Sequence, residues 1–373
     1  MSDLIVEVCE VADVRPHTNA DRLEIATVKG WQVCVGKGSV SVGDLCVFFP
    51  PDSVLPPELA HGPDDSPAGR LDVAKYGQPL PKNDDGVRPP GYRVKAARLR
   101  GEPSFGVLML LEDHDGEWSV GDDVSEHYGV TKWEPPVKVL VGDTEAENPL
   151  FAPYTSIENI RNYPDVFQDG DHVVVTEKIH GKNCRVGYIE EDGKMVFAAG
   201  SHKVRRKPPQ EGDTSSEFWA PLDNQELRRL LTFVQNCTSA KSVVVYGEIY
   251  GEGVQKGMAY GMAGRGFRIF DLSIDGKYVD QEYLLSVLCS EIEVVPVLYD
   301  GPFYARLIED FTDGDTRSQG ELPLGKFKGR EGIVIKSATE CHDDSGGLRG
   351  RKILKSISAD YLDRNDIADE SQE

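Results

Sequence analysis

Val173-Val174-Val175-Thr176-Glu177-Lys178-Ile179-His180-Gly181-Lys182-Asn183-Cys184 runs an apolar strand into a lysine and then a glycine turn. A lysine at the end of such a strand stands at the mouth of a pocket. With other cations nearby, its amine can lose its proton readily enough to become a nucleophile. Gly181 lets the backbone turn closely around a ligand. Taken alone, the segment is better explained by a strand end carrying a solvated lysine.

The surroundings of this stretch read as mixed structure. Strands are predicted at Val173 to Thr176, Val243 to Tyr246, Phe267 to Phe270 and Ile333 to Ile335. Asp223 and Glu226 have the spacing of a capping box for a helix with Leu227, Leu230, Leu231 and Val234 on one face. Arg205 to Ser216 and Cys341 to Gly350 read as exposed loops. The first 130 residues are β-rich instead, with strands at Ile5 to Val11, Leu23 to Val28, Trp31 to Val35 and Asp44 to Phe49. Tyr92 to Leu99 and Gly106 to Leu111 read as a closing pair, after a long loop or insertion from Pro50 to Gly91. Short strands and glycine turns without a strong helix point to a small closed barrel of the OB type. The stretch 131–150, with Glu134-Pro135-Pro136 and Gly142 to Pro149, reads as a linker.

The chain has 373 residues, 41 Lys and Arg against 63 Asp and Glu, and a net charge of −22. Neither half is basic, so a generally basic nucleic-acid binder and a binder of anionic membranes are excluded. The cations are local. Lys203 to Lys207, Lys326 to Arg330, and Arg349, Arg351, Lys352 and Lys355 form three clusters. Arg93, Lys95, Arg98 and Arg100 alternate along an expected strand, a spacing that would present cations on one face. Seven scattered cysteines without CxxC read as buried free thiols in a reducing compartment. No long apolar run or signal peptide is read, so a cytoplasmic protein is expected.

The lysine stretch does not stand alone. Val245-Tyr246-Gly247-Glu248-Ile249-Tyr250-Gly251, Phe267-Arg268-Ile269-Phe270-Asp271-Leu272, Glu331-Gly332-Ile333-Val334-Ile335-Lys336 and Arg351-Lys352-Ile353-Leu354-Lys355-Ser356 follow it in order. Together the five segments resemble the motifs of covalent nucleotidyltransferases, the ligases and mRNA capping enzymes. Glu177 to Gly181 followed by Asn183 resembles RNA ligases within that group. Asn19 to Glu24, Trp31 to Gly38 and Asp52 to Pro56 resemble the OB module of the Deinococcus-type ATP-dependent RNA ligases. Those enzymes seal 3′-OH/5′-phosphate nicks in duplexes whose 3′-OH strand is RNA. The 18 residues after Lys355 are too few for the C-terminal OB domain of DNA ligases and capping enzymes.

The resemblance implies an α+β chain. An OB-fold β-barrel would occupy residues 1–130, a linker 131–150, and an ATP-grasp-like adenylyltransferase domain on antiparallel sheets 151–373. It implies ATP and Mg²⁺ or Mn²⁺ as cofactors. The implied partner is a nicked duplex of RNA or an RNA/DNA hybrid, with a monomeric enzyme and no membrane. Lys178 would take AMP. Glu248 and Glu331 would hold metal-bound waters or ribose hydroxyls, and Lys336 and Lys355 would bring charge to the triphosphate. Glu177, Ile179, His180, Asn183 and Phe270 would line the nucleotide site, although a core phenylalanine and a structural histidine explain Phe270 and His180 equally well. Asp271 is either part of the metal network or a strand-end residue. Arg205, with Arg206, would contact nucleic acid. Where relatives often have the first of two lysines in the last motif, this chain has Ile353; Arg351 or Lys352 is the candidate substitute. A GTP-dependent capping enzyme, a catalytically silent RNA-binding protein and a DNA ligase are the alternatives.

Overall fold

Lys178 ends the strand His172–Lys178, and only four residues later the strand Lys182–Glu191 begins in a different sheet. This crossover organises the larger of the two units into which the chain divides, residues 135–373; residues 2–134 form the other. The computed structural model describes residues 4–60, 77–82, 86–112, 116–133, 143–210, 216–255, 257–343, 348 and 350–362.

In the larger unit a five-stranded sheet runs in the order Glu158–Asn159, Ile353–Ile357, Gly332–Ser337, His172–Lys178, Val297–Pro302. The pairs are antiparallel except the first, which is parallel. Val173, Val175, Ile333, Ile335 and Leu354 point to one face and pack with Phe167, Leu298 and Leu307. The strand period of two sends the alternate residues to the other face. The register Lys178↔Gly332, Thr176↔Val334↔Lys355 and Val174↔Lys336↔Ile353 therefore puts Lys178, Lys336 and Lys355 on one side of the sheet.

The second sheet is antiparallel, in the order Arg205–Arg206, Lys194–Ser201, Lys182–Glu191, Ser242–Gly251, Arg265–Ile274, Lys277–Tyr278. The helix Gln225–Thr238 packs on it through Leu227, Leu230, Leu231 and Val234. Burying these four side chains stabilises by about 1.5–3 kcal/mol each. The helix cap differs from the expected capping box: Asn224, not Asp223, accepts hydrogen bonds from the N–H groups of Glu226 and Leu227. Phe151, Tyr154, Ile189, Val244, Tyr246 and Ile353 form an apolar cluster joining strands of both sheets.

The smaller unit is built from short antiparallel strands around Val6, Val8, Val47, Phe49, Leu55, Val94, Val107 and Met109. Leu23–Val28 and Trp31–Gly36 form where the alternation predicts them, but the closing pair does not. Tyr92–Val94 pairs with Ser53–Leu55 and Gly77–Pro79, whereas Val107–Leu110 pairs with Leu45–Phe49. Nor do Arg93, Lys95, Arg98 and Arg100 share one strand. The strand ends at Val94, Arg100 has φ +51°, and Arg93 is buried against Asp52 at 2.5 Å with Trp133 stacked 3.4 Å away.

The expected linker 131–150 is not a single linker. Thr131–Lys132 pairs with the strand Ser53–Leu55, and residues 143–150 pack within the larger unit. Glu134 to Gly142 lie outside the described residues, as do Arg349, Pro63 to Asp65 and the tail after Leu362. The seven cysteines are free thiols, but Cys237 and Cys289 are exposed rather than buried. Among the described residues no helix is long and apolar enough to cross a membrane.

Candidate active site

The crossover between the sheets is a glycine because nothing larger fits. A Cβ on Gly181 would lie 2.1 Å from the Ile249 carbonyl oxygen and 2.9 Å from Glu248 Cγ. Gly332, at φ +155°, would meet the Ser356 carbonyl at 2.1 Å. Two backbone approaches that exclude side chains thus bring three segments together, those of Lys178, Glu248 and Glu331. Lys178 Nζ donates to Glu331 Oε1 at 2.5 Å. Glu331 is fully buried, and its Oε2 has no hydrogen-bond partner. Glu248 lies opposite Asn183 in the strand register, and Asn183 Oδ1 is likewise buried and unpartnered. Burial pushes the Glu248 carboxyl up to about 8, with the Glu331 charge adding to the shift; Lys178 and the Gly181 N–H act against it. A lysine paired with one buried carboxylate, a second carboxyl close enough to feel both charges, and unsatisfied oxygens suit the receipt of cations and hydroxyls.

The other expected residues divide into those that face this centre and those that brace it. Glu177 belongs to the second group. Its buried carboxylate accepts from the Thr316 hydroxyl and, at 2.7 Å, from the Arg317 N–H, so this side chain is not presented to a nucleotide. Burial raises its pKa against those two hydrogen bonds. Ile179 is buried with Tyr250, Met258, Tyr260 and Val295. His180 is buried, with its ring at the Tyr361 hydroxyl and Nδ1 4.0 Å from Glu331 Oε2. Phe270 is the extra residue where the register of Ser242–Gly251 with Arg265–Ile274 shifts, and its ring meets the edge of Tyr154 at 4.9 Å. A bulge re-aims a side chain out of the ladder, which leaves Phe270 half-buried rather than sealed in the core.

Asp271 is a structural anchor. It is fully buried, accepts from the Tyr154 hydroxyl at 2.7 Å and from Arg351 at 2.8 Å, and lies 3.6 Å from Lys336 Nζ. Arg351 also pairs with Glu340 at 2.6 Å and stacks over Tyr278 at 3.5 Å. Arg351 is therefore committed to this network, and Lys352 lies 3.8 Å from Asp171. The expected loop from Cys341 to Gly350 is not exposed at all of its described residues, since Asp343 is buried.

Arg205 and Arg206 do not form an exposed phosphate track. Both are buried on a two-residue strand. Arg205 pairs with Glu191 at 2.7 Å and Glu145 at 3.1 Å, while Arg206 pairs with Asp143 at 3.4 Å and lies over Phe218. The acidic segment read as linker supplies Asp143 and Glu145, and its backbone bonds to the same strand. Lys326 and Lys328, by contrast, are exposed. Sequence reasoning missed Tyr154, Tyr260, Thr316 and Tyr361, which hold the site residues but come from segments 80 to 197 residues away in sequence.

An RNA ligase family matches residues 171–357, half of the chain and all five motif segments, and an OB-fold domain family matches residues 5–63. Among solved structures, an RNA ligase of Naegleria gruberi with ATP and Mn is 24% identical with a TM-score of 0.70, covering 96% of this chain and 98% of that one. The same organism's RNA ligase with pyrophosphate is 25% identical with a TM-score of 0.68, covering 96% and 97%. A variant of it with AMP and Mn gives 24% and 0.68, covering 96% and 98%. Curated protein sequences give no match. The chain belongs to the RNA ligase family, with an α+β ligase domain preceded by an OB-fold domain.

Proposed function

We propose that this chain is an ATP-dependent RNA ligase of the Deinococcus type, sealing 3′-OH/5′-phosphate nicks whose 3′-OH strand is RNA, as a monomer. The observation that carries the reading is Lys178, 2.5 Å from the buried Glu331 and on the same sheet face as Lys336 and Lys355. In the first step Lys178 Nζ gives up a proton and attacks the α-phosphorus of ATP. A P–N bond forms, the bond to the bridging oxygen breaks, and pyrophosphate leaves. The AMP then passes to a 5′-phosphate, restoring the lysine, and an RNA 3′-OH displaces AMP to close the strand. Each step is an in-line phosphoryl transfer, which depends on alignment and charge neutralisation. Lys336 and Lys355 supply positive charge along the sheet face, and Phe270 offers a ring for the base.

The site fits a divalent cation, Mg²⁺ or Mn²⁺. Glu331 Oε2 and Asn183 Oδ1 are buried oxygens without hydrogen-bond partners, and Glu248 is a costly carboxylate beside them. Among the described residues no three His, Cys, Asp or Glu gather as a metal cage. Two carboxylates with phosphate and water oxygens suit Mg²⁺ chemistry. When bound, the ion neutralises charge on the phosphates.

The test uses α-labelled ATP with Mg²⁺. Covalent label that survives alkali, as a P–N bond does, must appear on the wild type and be absent from Lys178→Ala; a labelled variant would remove the nucleophile. Label from GTP in place of ATP would favour a capping enzyme. Nicked RNA bound without any covalent nucleotide would favour a silent binding protein. Sealing of an all-DNA nick as fast as one with 3′-terminal ribonucleotides would favour a DNA ligase.

A further inference from the structure

His180 is held from two sides. Its backbone N–H donates to the Tyr260 hydroxyl at 2.6 Å, and its ring Nδ1 lies 2.9 Å from the Tyr361 hydroxyl. The same Nδ1 is 4.0 Å from Glu331 Oε2, beyond hydrogen-bond reach. Tyr361 sits on the short helix Ala359–Leu362, and the start of that helix is tied to the same glutamate. The Ser358 N–H donates to the Glu331 carbonyl at 2.9 Å. Ser358 Oγ donates to Asp313 at 2.7 Å and accepts from the Tyr361 N–H at 3.3 Å. The last described turn of the chain thus grips Glu331 through its backbone and reaches His180 with a phenol.

We propose that Tyr361 is a positioning residue for lysine adenylylation: its O–H donates to His180 Nδ1, fixes the Nε2–H tautomer, and keeps a proton donor away from Glu331 Oε2. This rests on the ligase reading above. A neutral imidazole has one N–H and one acceptor nitrogen. With Nδ1 accepting from the phenol, no N–H is directed from that nitrogen toward Glu331. Glu331 then divides its two oxygens: Oε1 holds Lys178, and Oε2 stays buried with its lone pairs uncommitted. An unsatisfied buried carboxylate oxygen is costly, and that cost favours whatever cation or hydroxyl arrives with the nucleotide.

Tyr361→Phe removes the hydroxyl and retains the ring packed edge-on to His180 and Phe327. The full chain, labelled with ¹⁵N-histidine and free of metal, reports the tautomer through its imidazole nitrogen shifts, with the His180 signals assigned by their loss in His180→Gln. The wild type is expected to show Nδ1 as acceptor and Nε2 protonated, and Tyr361→Phe to populate the Nδ1–H form. A protonated Nδ1 in the wild type, or identical spectra for the two proteins, would overturn the proposal. Mn²⁺ binding to the nucleotide-free chain, followed by paramagnetic resonance, is expected to weaken by about three- to tenfold in Tyr361→Phe. In single-turnover labelling the half-saturating Mn²⁺ concentration should rise more than the maximal rate falls. A slower maximal rate with unchanged Mn²⁺ binding would show a merely structural tyrosine and overturn the idea. Wild-type protein that takes no label would overturn the ligase reading alone, and the imidazole spectrum would still decide the role of Tyr361.

Discussion

Replacing Gly181 with alanine puts a methyl group where two strands leave no room. The new Cβ would lie 2.1 Å from the Ile249 carbonyl oxygen, 2.9 Å from Glu248 Cγ and 3.0 Å from the Ile249 carbonyl carbon. The closest approach is more than about 1 Å inside attractive contact distance. The neighbours are backbone, held by the register Lys182↔Ile249 and Asn183↔Glu248 in the middle of a six-stranded sheet. Relief must therefore come from the turn itself, which moves away and takes with it the N–H that faces Glu248. Overpacking of this kind costs about 1–3 kcal/mol of stability. A misplacement of about 1 Å next to reacting groups costs on the order of 10²-fold in rate. Gly181→Ala should therefore stay folded at moderate temperature and form the covalent lysine adduct about 100-fold more slowly in single-turnover labelling. Gly193→Ala is the control: its φ is +74°, and its Cβ would meet nothing within 4 Å. It should lose about 1–2 kcal/mol for a left-handed alanine and label at the wild-type rate. Wild-type labelling by Gly181→Ala, or equal loss in both variants, would refute the claim that this close approach sets the site.

Glu248→Gln gives a pH-dependent stability difference. The Glu248 carboxyl is pushed up to about 8 from an ordinary 4.5, so the folded chain holds its proton more tightly than the unfolded chain. Without metal, its contribution is most favourable below pH 4.5 and declines as pH rises to about 8. Urea midpoints in chelator should show the variant gaining on the wild type from pH 5 to pH 9; a constant difference would contradict this. Asp271→Asn leaves Arg351 and Lys336 buried without their shared carboxylate and should cost about 3–5 kcal/mol, read as a lower denaturation midpoint. Arg205→Ala should destabilise the fold while leaving the salt dependence of nicked-RNA binding unchanged, because its charge is committed to Glu191 and Glu145. Replacing exposed Lys326 or Lys328 with glutamine should instead reduce the slope of log K against log salt by about 0.7–0.9 each, measured by a binding titration across salt concentrations.

The parts of the fold legible in the sequence are those governed by neighbours along the chain. Leu23–Val28 and Trp31–Gly36 follow from alternation, and the helix face Leu227, Leu230, Leu231, Val234 follows from the helical period. The resemblance of the five motif segments to nucleotidyltransferases pointed to Lys178, Glu248 and Glu331, and the fold brings those three segments together. What failed depended on partners far away in the chain. The run of basic residues at 203–207 reads as a nucleic-acid contact until Asp143, Glu145 and Glu191 are placed against it. The alternation of Tyr92 to Leu99 suggests one strand, but Arg93 turns inward to Asp52 and the ladder divides after Val94. Glu177 resembles its counterparts at the nucleotide site, yet its carboxylate is taken by Thr316 and Arg317, some 140 residues on. No local pattern announces such a pairing.

The isoleucine at 353 illustrates how a departure in a motif can be read only on the sheet. Ile353 faces Lys336 across the ladder, and both belong to the face that carries Lys178 and Lys355. A lysine at 353 would set a second ammonium beside Lys336, which is already buried and without a hydrogen-bond partner. The nearby carboxylate, Asp271, is shared between Lys336 at 3.6 Å and Arg351 at 2.8 Å. Asp271 and Glu340 already balance these two buried cations, and a third would exceed them and add like-charge repulsion where water cannot screen it. Ile353 instead packs with Phe151, Tyr154 and Tyr246, filling the apolar cluster between the sheets. The position gives up a charge and gains packing, while the cationic face keeps Lys336 and Lys355 on either side of it in the register. Basicity in the last motif of this chain is therefore best counted over the sheet face, where Lys336 is the neighbour that a linear alignment does not place beside residue 353.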